Sequence, residues 1–94
     1  MNDETADYTA TDSHALDANA VAGLLIEVFG TEMTAAMSQC AHCGNQGQVG
    51  SLRAYIGLGV VLRCSICHQV VMRIATTADG RHRVDIRGAA YLQL

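Results

Sequence analysis

Ninety-four residues allow one domain at most. The longest apolar run, residues 54–62, has nine residues and contains two glycines, which is too short to span a membrane. The net charge of −3 conceals an asymmetry: seven acidic residues and no Lys or Arg precede Cys40, whereas from Cys40 onward six arginines stand against only Asp79 and Asp85. Every basic residue is Arg, which suits carboxylate, phosphate and planar contacts, although a GC-rich genome produces the same bias without any functional meaning.

Residues 1–14 are acidic, Thr-rich and poor in large apolar groups, and are expected to form a disordered, solubilising tail. Folding back on the basic half, or mimicry of nucleic acid, is the functional alternative for this tail. The stretch has neither a basic n-region nor an apolar h-region. A cytoplasmic protein with reduced thiols is therefore expected. The domain proper is taken as residues 15–94.

Between residues 16 and 29 the apolar groups Ala20, Val21, Leu24, Leu25, Val28 and Phe29 recur at 3–4 spacing and predict an amphipathic helix. Asp17 or Asn19 can cap it, Leu16 is a candidate staple residue, and Gly30 is placed to end it. Glu27 is the only charge on its polar face, so the helix is expected to pack on the sheet that follows. Residues 31–39 predict a short strand, with a helical continuation as the alternative and Met33 and Met37 as gap-filling side chains.

The chain then reaches Cys40-Ala41-His42-Cys43-Gly44, answered by Cys64-Ser65-Ile66-Cys67-His68, and these two pairs hold all four cysteines. Two intervening residues let the chain curl tightly, so both sulfurs of a pair face one ion and backbone N–H groups can donate to them. Gly44 sits where such a curl often needs positive φ, and His68 is the less comfortable choice at the equivalent place. The pattern matches a four-thiolate Zn2+ site with Cys40, Cys43, Cys64 and Cys67 as ligands. Paired disulfides, a redox pair, or another metal such as iron are the alternatives.

Residues 48–56 predict a strand broken early by Gly50, with Leu52, Ala54 and Ile56 on one face and Arg53 and Tyr55 on the other. Gly57-Leu58-Gly59 makes a turn into a strand over residues 60–63. Residues 69–76 form the strongest β pattern, with Val70, Met72 and Ile74 alternating against Val71, Arg73 and Ala75. Asp79-Gly80 signals a two-residue hairpin leading into residues 81–87. The apolar residues Tyr91, Leu92 and Leu94 are expected to pin the chain's end to the body.

Few other groups offer chemistry. His42 and His68 flank the cysteines and are expected as partners of the thiolates or of a bound molecule, while His14 and His82 are read as solvent-facing. A filled four-thiolate shell leaves no open position for water or substrate. No nucleophile stands with a base at a recognised spacing, no phosphate loop follows a strand, and no HExxH occurs. The chain is therefore not expected to be an enzyme.

The order Leu16-Asp17-Ala18-Asn19-Ala20-Val21-Ala22-Gly23-Leu24-Leu25, then Phe29, Met33-Thr34-Ala35-Ala36, the two cysteine pairs, Val71-Met72-Arg73 and Asp85-Ile86-Arg87-Gly88 before Tyr91-Leu92 resembles a family of small uncharacterised actinobacterial zinc-ribbon proteins, a domain of unknown function. The resemblance covers residues 16–94 and implies membership rather than activity. Ser65 stands where Pro is common in the second knuckle, and His68 where Gly is common. By fold analogy zinc ribbons serve in transcription, translation and larger assemblies.

The expected fold is α+β: an N-terminal amphipathic helix packed on a small antiparallel zinc-ribbon sheet of four or five strands, with one structural Zn2+. The expected function is a non-enzymatic adaptor for a protein or a protein–nucleic acid assembly, plausibly in gene expression, with Arg53, Arg63, Arg73, Arg83 and Arg87 as contact residues. Direct nucleic-acid binding is the runner-up, weighed against modest charge, the lack of Lys and the scarcity of aromatics. A thiol-based redox or zinc sensor is the third reading. Oligomeric state stays open.

Overall fold

The computed structural model of the protein describes residues 16–94. In chain order these are β1 (Leu16–Asp17), a 3₁₀ turn (Ala18–Val21), α1 (Ala22–Phe29), β2 (Met37–Cys40), β3 (Gln46–Gln48), a second 3₁₀ turn (Val49–Ser51), β4 (Arg53–Ile56), β5 (Gly59–Arg63), β6 (Val70–Thr76), β7 (His82–Asp85) and β8 (Ala89–Gln93). The strands form two antiparallel sheets, a five-stranded one ordered β1-β4-β5-β6-β7 and a three-stranded one ordered β3-β2-β8. The fold is α+β and mostly sheet.

Alternation decides which face of the larger sheet is buried. Ala54, Val60, Leu62, Met72 and Ile74 point inward and are at most 7% exposed. Ala18 and Val21 of the first turn and Leu25 of α1 join them in one cluster with Met33, Val49 and Leu52. An eight-residue helix is too short to persist by itself, so α1 exists because Leu25, Leu24, Val28 and Phe29 pack on this cluster. Each large apolar side chain so buried contributes about 1.5–3 kcal/mol. Among the described residues, no helix is long and apolar enough to cross a membrane.

Several expectations are corrected. The helix expected over residues 16–29 begins only at Ala22, because Leu16 and Asp17 pair with Ala54 and Arg53 at the sheet edge. Asp17 does cap, but it caps the 3₁₀ turn through the Asn19 N–H at 3.2 Å. Leu16 is half-exposed rather than a staple. The helix ends at Gly30 as expected, with φ +76° and its N–H bonded to the Ile26 carbonyl. Between residues 31 and 39 only Met37 onward is strand; Met33 is buried, whereas Met37 is exposed. Thr76 pairs with His82, so Asp79-Gly80 lies in a five-residue loop over residues 77–81 rather than a two-residue turn. The chain's end is held as β8 against β2, in the smaller sheet. The acidic tail and His14 lie outside the described residues.

Candidate metal centre

The two cysteine pairs fold as copies of one hydrogen-bonded curl. In the first, the Cys40 N–H donates to the Asn45 carbonyl, the Gly44 N–H to the Cys40 carbonyl, and the His42 N–H to the Cys40 Sγ at 3.4 Å. In the second, the Cys64 N–H donates to the Gln69 carbonyl, the His68 N–H to the Cys64 carbonyl, and the Ile66 N–H to the Cys64 Sγ at 3.4 Å. Both curls close through a left-handed residue, Gly44 at φ +79° and His68 at φ +66°. The sequence pattern anticipated both the N–H donors and the awkward histidine.

Different sheets carry the two curls. The first follows β2 of the small sheet, and the second joins β5 to β6 of the large one. They are brought together beside Gly88, whose carbonyl accepts the Ala41 N–H at 2.9 Å. A β-carbon at Gly88 would stand 1.9 Å from the Val70 carbonyl oxygen, so only glycine lets this crossing approach β6 so closely.

All four Sγ atoms lie within 4.8 Å of one another. The edges between curls are 3.7 Å for Cys40–Cys67 and 3.6 Å for Cys43–Cys64. A tetrahedral zinc with Zn–S bonds of about 2.3 Å requires S···S edges of about 3.8 Å. A disulfide would need about 2.05 Å, and all four thiols are free. The donor set and its spacing therefore fit one metal ion. Cys40 and Cys64 are buried, while Cys43 is exposed and Cys67 half-buried, so the site is sealed on one side only.

Crowding also sets the thiol acidities. At Cys40 burial opposes ionisation, but the N–H groups of Cys43 and His42 and the neighbouring thiols outweigh it and bring the pKa down to about 7. At Cys67 the Gln69 N–H favours the thiolate, yet burial and the thiols of Cys40, Cys43 and Cys64 prevail and push it up to about 12. Cys43 is also raised; there the Asn45 N–H is outweighed by burial and the Cys64 and Cys40 thiols. One thiolate thus makes the next harder to form. A divalent cation removes that penalty by replacing the protons.

A family model matches residues 11–94, nearly the whole chain. The chain belongs to DUF6510, a family of unknown function. No curated protein and no solved structure matches it. Membership in DUF6510 agrees with an uncharacterised family and assigns no activity, so function is argued from the residues.

The structure distributes the other candidate residues unevenly. Arg53, Arg63, Arg73 and Arg83 alternate with the buried positions of β4 to β7 and share the outer face of the large sheet. Arg87 lies just beyond β7 and pairs with Asp85 at 2.6 Å, and the Arg87 contact holds the Asp85 carboxyl down at about 2. His42 lines a groove with Arg73 and Arg87, and the His68 carbonyl accepts from Arg63 Nη1 at 2.9 Å.

His82 corrects its solvent-facing reading. Its side chain is only 16% exposed, with Nε2 2.6 Å from Glu27 Oε2 and Nδ1 3.0 Å from Thr76 Oγ1. Its ring ties α1 to the sheet. Nothing local in the sequence signals this, because Glu27 is fifty-five residues away.

Proposed function

We propose that this protein is a non-enzymatic binding module in which Cys40, Cys43, Cys64 and Cys67 hold one structural Zn2+ and the zinc-held sheet serves as an adaptor surface, in gene expression, for a protein or protein–nucleic acid assembly. The observation that carries the reading is the sulfur cluster, whose 3.6 and 3.7 Å edges match a tetrahedral thiolate shell and bridge the two sheets. Four protein ligands fill that shell and leave no position for a substrate. Collection of four arginines on one sheet face supports a surface role.

The test is metal content with a free-thiol count on protein purified without added zinc. One zinc per chain, with thiols that react only after denaturation or chelation, is expected. Iron in its place, or paired or freely reactive thiols without metal, would overturn the structural-zinc reading. The exposed Cys43 thiol favours one variation. Reversible ejection of the metal by mild oxidant would make the same site a redox sensor.

A further inference from the structure

We propose that the outer face of the five-stranded sheet binds single-stranded nucleic acid, with phosphates along a diagonal of arginines and bases on the Tyr55 side. The proposal rests on the binding-module reading and names its partner.

Register builds the diagonal. Arg53 on β4 stands directly opposite Arg63 on β5. Arg73 on β6 pairs with Val61, two residues along β5 from Arg63, and Arg83 on β7 pairs with Ala75, two residues along β6 from Arg73. Each of the last two steps crosses one strand and two residues, roughly 8 Å. Four guanidinium groups therefore cross the face in one line.

Three features mark this line as unfinished in the free protein. Like charges directly opposite one another across a strand pair are unfavourable, and Arg53 and Arg63 are such a pair. Among the described residues, Arg53, Arg63, Arg73 and Arg83 form no ion pair at contact distance, although Asp85, held by Arg87, stands opposite Arg73 across the β6–β7 ladder. The Arg53 Nε is moreover buried without any hydrogen-bond acceptor.

Beside the line lies a surface of different chemistry. A groove of about 400 Å³ is lined by Tyr55, Ile56, Leu58, Val61, Arg73 and Ala75, with Gly59 leaving the sheet bare at its floor. Arg63 sits 5.7 Å from the centroid of the Tyr55 ring. Phosphate-binding arginines next to an aromatic platform are what an unpaired strand requires, since every nucleotide brings one negative charge and one flat π face. An acidic peptide would match the charge only. Its backbone would need a sheet edge, and beside this face that edge is β7, the outermost strand, because the N–H and C=O groups of β4, β5 and β6 are spent in the ladders. A peptide there would lie beside Arg83 and three strands from Arg53. The net charge of the chain is no obstacle, because recognition responds to the local field.

The experiment is fluorescence anisotropy of the full zinc-loaded chain with a labelled twelve-nucleotide oligouridine and, separately, a labelled polyglutamate peptide. Oligonucleotide binding should weaken with salt at a log–log slope of about −2 to −3, for three or four phosphates. Arg73→Ala combined with Arg83→Ala should weaken it at least about tenfold, and Tyr55→Ala at least about fivefold. Arg81→Ala, on the β6–β7 loop away from the face, should leave it unchanged. Absence of binding at about 50 mM salt by zinc-bearing, cooperatively folding protein would overturn the proposal, as would affinity indifferent to the arginine pair. Polyglutamate captured through the same arginines, with the oligonucleotide ignored, would also overturn it in favour of an acidic protein. Arginine-dependent oligonucleotide binding by a chain that carries no zinc would support the proposal and overturn the zinc reading instead.

Discussion

Position 68 shows how a single residue sets the quality of a metal knuckle. His68 adopts φ +66° with a β-carbon, where Gly44 adopts φ +79° without one. The left-handed conformation costs a non-glycine residue about 1–2 kcal/mol, and glycine returns part of that gain through the larger entropy of its unfolded chain. His68→Gly is therefore expected to stabilise the folded protein by up to about 1 kcal/mol, read as a higher urea midpoint at unchanged slope. The opposite is expected at Cys64, which is 1% exposed and whose sulfur accepts the Ile66 N–H. A structural zinc contributes about 10–16 kcal/mol in small domains, as much as the total stability of about 5–15 kcal/mol. If the cluster holds a structural zinc as proposed, Cys64→Ser should lose both metal binding and the cooperative melting transition. A variant that retained both would mean that the four-thiolate site is wrong.

At the scale of elements, α1 depends on what it touches. Its interior contains Gly23, it carries no side-chain N-cap, and it runs for eight residues. Packing of Leu25 holds it from below, and the Glu27–His82 contact holds it at the side. His82 is also bonded to Thr76, so one ring links α1, β6 and β7. His82→Ala should destabilise the fold by about 1–2 kcal/mol, less than deletion of a buried apolar side chain because Glu27 returns to water. Thermal melting with hydrogen exchange on α1 checks this: amides of residues 24–29 should lose protection while those of β5 keep theirs.

The whole molecule joins two sheets through the sulfur cluster, so metal binding and folding are expected to be one equilibrium. With the Cys67 pKa pushed up to about 12 and that of Cys43 also raised in the metal-free site, loading a metal at pH 7.5 should release protons, at least those of Cys67 and Cys43. The sign follows: thiolates bind the metal and thiols do not, so acidification favours release. Affinity should fall progressively below pH 7.5, and fall more steeply as pH drops past about 7, where Cys40 too is protonated. Calorimetric titration in buffers of different ionisation enthalpy gives the proton count, and a chromophoric chelator gives the release curve. A strong chelator at neutral pH should abolish the cooperative transition expected of the metal-loaded protein.

Much of this was legible in the sequence because much of it is local. Each knuckle is a five-residue hydrogen-bonding pattern ending in a left-handed residue, and both were readable from Cys-X-X-Cys followed by Gly44 or His68. Strand faces were likewise readable, since alternation alone separates Arg53 and Tyr55 from Leu52 and Ala54. What the tertiary structure decided was pairing. Leu16 and Asp17 became sheet instead of helix because β4 offered them an open edge. Ala89–Gln93 chose β2 rather than its sequence neighbours. His82 turned from a surface residue into a strut through a partner far along the chain. The arginine diagonal belongs to the same class. Each arginine's face follows from its own strand, but the line exists only because registers set by long-range backbone hydrogen bonds and core packing place Arg63, Arg73 and Arg83 one step apart on successive strands.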